Sequence, residues 1–174
     1  MKALKAILFS AVLFFCPSVF SQTTKIVQIN TQTIIVAMPE LADAQTKLEE
    51  YRQELVSIME TMTVEYNKLL EAYANEQENL SEVAKSAKTT ELSDKQARAQ
   101  EFQQNAPTNL QNRQAELMQP IIEKVNKAIE EVAKEQNITW VFDLAQGSIA
   151  YSATNAPDIT QDVLKKLGIQ PQAQ

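Results

Sequence analysis

Residues 39–73 read PELADAQTKLEEYRQELVSIMETMTVEYNKLLEAY, and they open a run of 99 residues, Pro39 to Asn137, without a glycine. Apolar residues recur through this stretch in steps of three and four, the spacing of a coiled-coil helix. The predicted seam consists of Leu48, Tyr51, Leu55, Ile58, Met62, Tyr66, Leu69 and Tyr73. One interval, from Leu55 to Tyr66, is hendecad-like. We expect a helix from Pro39 to about Ala87, roughly 70 Å long at ~1.5 Å per residue.

The second half of the run predicts a helix that returns. Residues 88–93 are expected to form the tip, because Ser93-Asp94-Lys95-Gln96 fits a capping box. The predicted arm therefore spans residues 39–119. Its upper return part, residues 103–114, is rich in Gln and Asn and has few apolar residues. Two interpretations stay open for it: a solvated stretch, or a compliant segment that bends near Pro107, with Pro120 at the join to the rest of the protein.

Short strand patterns flank the arm at residues 25–30, 138–143 and 148–152, with a turn at Gly147. A terminal helix is expected at 160–167, ended by Gly168. The predicted fold class is α+β, mostly α: a small β-body from residues 22–38 and 120–174, with a long antiparallel helical hairpin inserted. Trp140, Phe142 and Tyr151 either fill the core of a strand hairpin or form a subunit interface. The predicted body interface is Val27, Ile29, Trp140, Phe142, Ile149 and Tyr151.

The N-terminus predicts a cleavable signal peptide, residues 1–21. Lys2 and Lys5 precede an apolar segment at residues 6–15 that is too short to span a bilayer, and cleavage is expected after Ser21. Bulky Phe15 before Cys16 disfavours a lipidation site. We therefore expect a periplasmic location and a mature chain without cysteine.

Composition argues against catalysis. The chain has no histidine and only two glycines, so a serine–histidine arrangement and a glycine-rich phosphate loop are both excluded. No ligand cluster for a metal is visible, and we expect no enzyme activity and no cofactor. Asp143 is interpreted as a strand-end hydrogen-bonding residue. Net charge is −6, and −8 after loss of the two signal lysines, which disfavours nucleic acid and anionic lipid as partners.

The order of segments resembles the Skp/OmpH family of periplasmic chaperones. The stretches that carry the resemblance are IIVAMPE (34–40), PIIEKVNKAI (120–129), WVFD (140–143), the Gly147–Tyr151 segment, DIT (158–160) and VLKKLG (163–168). The resemblance implies a homotrimer with three arms like tentacles around a central cavity. It also implies ATP-independent holding of unfolded outer-membrane proteins. Well-known members are basic, whereas this chain has a pI of about 4.8, so binding of membrane or lipopolysaccharide does not carry over.

The alternative is a periplasmic coiled-coil adaptor or spacer in an envelope complex. An adaptor predicts a regular seam up to an apolar docking tip. The polar residues 88–94 and the sparse seam of the return helix favour the chaperone instead.

Overall fold

The structure is a computed structural model that describes residues 24–170. The predicted signal peptide, its cleavage site and Cys16 lie outside the described residues. In chain order the elements are β1 (Ile26–Ile29), α1 (Thr31–Ala37), α2 (Pro39–Glu76), α3 (Glu82–Glu135), β2 (Trp140–Asp143), a 3-10 turn (Leu144–Gln146) and α4 (Thr160–Lys166). The predicted fold class, a mostly helical α+β protein with a long helical hairpin, is confirmed.

Local capping explains how the chain enters the hairpin. The Asn30 side chain accepts a hydrogen bond from the Thr33 N–H at 3.0 Å, which caps α1. Met38 ends α1 in an extended conformation, and Pro39 restarts the chain as the first residue of α2. A proline is tolerated there because an N–H at that position would have no intrahelical acceptor, so no hydrogen bond is lost.

The turn of the hairpin lies at residues 77–81, so the predicted tip at 88–93 is wrong. Gln77 donates its N–H to the Tyr73 carbonyl at 2.9 Å, and the Ser81 side chain accepts from the Ala84 N–H at 3.3 Å. Ser81, not Ser93, is the N-cap, and Ser93 lies inside α3. The physical reason is the uninterrupted polar run Asn75–Asn79, which offers no side chain for the seam.

The sheet has two strands, and they are parallel. Ile26 pairs with Trp140, and Ile29 with Asp143. The predicted third strand at 148–152 is wrong, because that segment forms no strand within the described residues. The segment lies against the sheet instead, where Ser152 donates to the Gln28 side chain. Gly147 does supply the predicted turn, with φ 66°.

The main core joins both ends of the chain. Its buried members come from β1, α1, the start of α2, the end of α3 and the segment around α4: Val27, Ile29, Ile34, Met38, Ala44, Ile121, Val125, Ala128, Val132, Ile159, Val163 and Leu164. Residues far apart in sequence thus close one body, and the hairpin extends from it.

The arm itself has a thin core. Between Ala44 and Ile121, Leu55 and Leu92 are the buried hydrophobic residues, each 8 % exposed. Helix α3 continues through both Pro107 and Pro120. None of the helices in the described part of the chain has the length and apolar character that a membrane span needs.

Candidate functional site: the exposed strand face and the arm

One face of the sheet presents large apolar side chains to solvent. Trp140 is 58 % exposed, Phe142 47 %, Ile26 52 % and Tyr151 83 %. The strand register places Ile26 and Trp140 side by side and sets Phe142 opposite Gln28, so these side chains share one side of the sheet. We call these four residues the strand face. Exposed aromatic residues at such density are typical of interaction surfaces.

The predicted body interface combined residues from the buried side of the sheet with residues from its exposed side. Val27 and Ile29 are 3 % and 1 % exposed and belong to the core of their own subunit, so their assignment to an interface is wrong. Strand alternation is the reason, since residues 27 and 29 point away from residue 26. Ile149 is half-buried and lines a cavity of about 480 Å³ together with Phe142 and Tyr151. Ile26 was missed, although the same alternation signals it.

The interpretation of Trp140, Phe142 and Tyr151 as the core of a strand hairpin is also wrong, because all three are exposed. Their role in a subunit interface stays a prediction. The edge of β2 supports it, since within residues 24–170 β2 pairs with β1 alone. A two-stranded sheet is marginal by itself, and an open edge is a template for pairing with another chain.

Asp143 connects the end of β2 to the start of α1 through hydrogen bonds. Its carboxylate accepts from the Thr31 N–H at 3.2 Å, the Thr31 hydroxyl at 2.6 Å and the Ala145 N–H at 3.0 Å. Partial burial by itself would raise the pKa of Asp143, but the hydrogen bonds from Thr31 and Ala145 outweigh it and hold the pKa below its ordinary value. The interpretation of Asp143 as a strand-end hydrogen-bonding residue is confirmed.

The structure places the predicted seam residues along one side of α2. All are buried or half-buried except Ile58, which is 36 % exposed. Met59 is half-buried in its place. Ile58 and Met59 both lie in the hendecad-like interval, and sequence spacing alone could not decide which of the two faces the seam. The burial of these side chains is consistent with the predicted seam apart from this exchange.

The return helix carries a longer seam than the sequence suggested. Its inward positions continue at steps of three and four and are buried or half-buried: Leu92, Lys95, Ala99, Phe102, Ala106, Leu110, Arg113 and Leu117. Small and amphipathic side chains fill several of these positions, which is why hydrophobicity alone did not reveal them. The seam therefore extends most of the way to the turn.

Two ion pairs connect the helices of the arm. Lys95 contacts Glu65 at 2.9 Å in the distal half, and Lys124 contacts Glu40 at the base. Within α2, Arg52 donates two hydrogen bonds to Glu49, which lower the pKa of Glu49 to about 2. These side chains are largely exposed, so each pair contributes little to stability.

The described residues, 24–170, contain no group of three or more His, Cys, Asp or Glu side chains arranged to hold a metal ion. Fold and site together define a class of protein: a small body with an exposed strand face and a long two-helix arm.

Comparisons with known proteins agree with this class. The sequence model of the family described as outer membrane protein (OmpH-like) matches residues 25–167. An uncharacterised protein from Aquifex aeolicus (strain VF5) is 32 % identical over 141 residues, which cover 80 % of this chain and 83 % of that protein. A crystal structure from Caulobacter crescentus CB15, provisionally described as an OmpH-like outer membrane chaperone, superposes with a TM-score of 0.66 at 12 % identity. That match covers 87 % of this chain and 89 % of the other.

The chain belongs to the OmpH-like family, also called Skp/OmpH, a non-enzymatic family of chaperone type. The resemblance that the sequence carried is thereby confirmed.

Proposed function

We propose that this protein is an ATP-independent holdase that binds unfolded outer-membrane proteins in the periplasm and prevents their aggregation. The observation that carries the proposal is the arm: helices of 38 and 54 residues extend from a small body and have only a thin core of their own. Such an arm offers a long surface without an enclosed pocket, which suits a chain of undefined shape.

Weak binding of an unfolded client is consistent with the composition of the arm. A holdase needs many weak contacts, because a client that is held weakly can leave without an energy source. An unfolded client loses conformational freedom when it is held, and this entropy cost keeps the affinity per contact low. The proline interruptions at Pro107 and Pro120 supply points where the arm can adjust to clients of different size.

The strand face supports a homotrimer as the working unit. A two-stranded sheet with Trp140, Phe142 and Tyr151 exposed is incomplete as a monomer. Association of three such faces would bury the aromatic side chains, and it would set three arms around one space.

Export to the periplasm depends on the predicted signal peptide. N-terminal sequencing of the exported protein would test that prediction.

An aggregation assay tests the holdase. The mature protein is added to a urea-unfolded outer-membrane β-barrel protein, and light scattering is followed after dilution without ATP. Suppression at one trimer per client is the expected result. If scattering were unchanged at that ratio, the proposal would be refuted.

Sedimentation tests the trimer with a matched pair of variants. Trp140→Glu adds charge to the strand face, and Val36→Glu adds charge at an equally apolar position on α1 that is 62 % exposed. We expect Trp140→Glu to sediment as a folded monomer and Val36→Glu to keep the wild-type mass. A trimer that survives Trp140→Glu would place the interface elsewhere.

Two observations favour the adaptor alternative: the seam of the return helix extends most of the way to the turn, and the tip carries an exposed apolar residue. Val83 is 81 % exposed in the first turn of α3, beside the turn of the hairpin, so the tip is less polar than the sequence suggested. A docking tip would require Val83, whereas a holdase would not. Val83→Asp should therefore leave suppression of aggregation unchanged.

A further inference from the structure

The two flanks of the arm differ in charge. The ion pairs Lys95–Glu65 and Lys124–Glu40 both bridge α2 and α3 on the same flank. A shallow cavity on this flank is lined by charged and amide side chains: Tyr51, Glu54, Asn109, Asn112, Arg113 and Glu116. We call this side of the arm the charged flank.

The opposite side, which we call the neutral flank, carries no Asp, Glu, Lys or Arg over the distal half of the arm, beyond Arg52. At 100° per residue, α2 presents Val56, Met59, Thr63, Leu70 and Ala74 there. Helix α3 presents uncharged residues from Thr89 to Met118 on the same side, among them Gln96, Gln100, Gln103, Pro107 and Gln114. All five of these α3 residues are exposed.

This absence of charge is selective. Helix α2 contains nine acidic and three basic residues, yet from Val56 to Ala74 none of them lies on the neutral flank. Val56 and Leu70 are 47 % and 43 % exposed there. The glutamines beside them each offer both hydrogen-bond donors and an acceptor.

We propose that the neutral flank is the surface on which the arm binds an extended segment of unfolded polypeptide. This inference rests on the proposed holdase function and names the part of the arm that performs it. An unfolded chain presents backbone N–H and C=O groups without partners, and glutamine amides can pair with both. Exposed Val56 and Leu70 add apolar contact.

Charge favours the same flank. An acidic client is repelled by the acid-rich remainder of α2, and on the neutral flank it meets no like charge. From Val56 to Ala74, the part of α2 without charge on this side, the flank is about 28 Å long, which accommodates roughly 8 residues of extended chain at ~3.4 Å each.

Photo-crosslinking from two neighbouring positions tests the inference. Cys16, the only cysteine, lies in the predicted signal peptide, so a cysteine introduced into the mature chain is labelled uniquely. Gln103→Cys places a benzophenone on the neutral flank. Asn105→Cys places it two residues away, one turn before Asn109, on the charged flank. Both native side chains are exposed at nearly the same height on α3.

The probe is a urea-unfolded outer-membrane β-barrel protein diluted into each labelled variant. We expect the yield of client crosslink from Gln103→Cys to exceed that from Asn105→Cys by about fivefold, the population ratio for about 1 kcal/mol of preference. Equal yields, or a higher yield from Asn105→Cys, would overturn the inference. Crosslinks mainly between arms would also overturn it, since the flank would then bind a second copy of the chain.

Charge insertion gives an independent measurement. The double variant Gln100→Glu/Gln103→Glu should weaken client binding about fivefold or more, whereas Asn105→Glu/Asn109→Glu should change it less than about twofold. Circular dichroism confirms that each variant is folded. Equal effects of the two double variants would contradict the inference, and the holdase proposal would still stand if the wild-type protein suppresses aggregation. Failure of the wild-type protein to suppress aggregation would refute the proposed function itself.

Discussion

Asp143 ties together residues that are 112 positions apart in the sequence, because its carboxylate accepts both donors of Thr31 at the start of α1. It also accepts from the Ala145 N–H, so one side chain fixes the end of β2 and the start of two helical turns. No apolar residue could replace these contacts without leaving the donors unpaired.

The first prediction concerns Asp143→Ala. We expect the free energy of unfolding to fall by about 1–3 kcal/mol, since partly buried N–H donors lose their acceptor. Thr31→Val is the matched control, because it removes only the hydroxyl donor and should cost about 0.5–1.5 kcal/mol. Urea unfolding at one fixed protein concentration measures both. A smaller loss for Asp143→Ala than for Thr31→Val would contradict this account.

The same carboxylate predicts a pH dependence. Because the pKa of Asp143 is lower in the folded state, the unfolded chain takes up this proton first as the pH falls. The contribution of Asp143 is therefore complete above its ordinary pKa of about 4 and is lost as the pH falls toward the folded pKa. The difference in stability between wild type and Asp143→Ala should shrink in that range. A difference that stays constant to lower pH would show that the charge is not involved.

At the scale of the helices, a few buried residues hold the arm. Leu55 and Ile58 were equivalent members of the predicted seam, but Leu55 is 8 % exposed and Ile58 36 %. We expect Leu55→Ala to cost about 2–4 kcal/mol and to lower the helical signal, as for a buried core leucine. Ile58→Ala is the control and should cost under about 1.5 kcal/mol. Thermal unfolding followed by circular dichroism distinguishes them, and equal losses would show that the two side chains are packed alike.

The prolines of α3 make a second prediction at this scale. Pro107 has no N–H, so the Gln103 carbonyl lacks its intrahelical donor. Pro107→Ala restores that donor and should slow amide hydrogen exchange around residues 103–111, with a local gain of up to about 3 kcal/mol. Gln111→Ala, one turn further, should leave exchange nearly unchanged. Unaltered exchange in Pro107→Ala would mean that the proline is no weak point of the arm.

The sequence defined the helices better than the turn between them. Long stretches of apolar residues at helical spacing predict α2 and the base of α3 directly. The turn at 77–81 contains neither glycine nor proline, and the capping box at Ser93 drew the prediction toward residues 88–93. The polar run Asn75–Asn79 was the signal that could have placed it. The segment 148–152 alternates like a strand, but within the described chain no strand pairs with it.

For the whole molecule, the body follows from the sequence and the surfaces do not. Val163 and Ile34 are apolar residues in patterned elements and lie in the core. Ile29 lies there too, although it was assigned to the interface. The strand face is mostly aromatic, and the α3 side of the neutral flank is mostly glutamine, and residue type alone assigns no role to either surface. Their role depends on which side of an element faces outward, and that is set by register.

The net charge of the chain leads to the last prediction. The protein carries 22 acidic and 16 basic residues, so attraction of acidic clients by positive arms is not available to it. If clients bind through the neutral flank, salt screens only repulsion, and suppression of aggregation should persist or improve when ionic strength rises from about 0.05 to 0.3 M. The apparent affinity for an unfolded acidic β-barrel protein, measured by fluorescence anisotropy across this range, is the test. A loss of more than about fivefold would show that attraction between opposite charges holds the client, and contact through uncharged side chains would have to be abandoned.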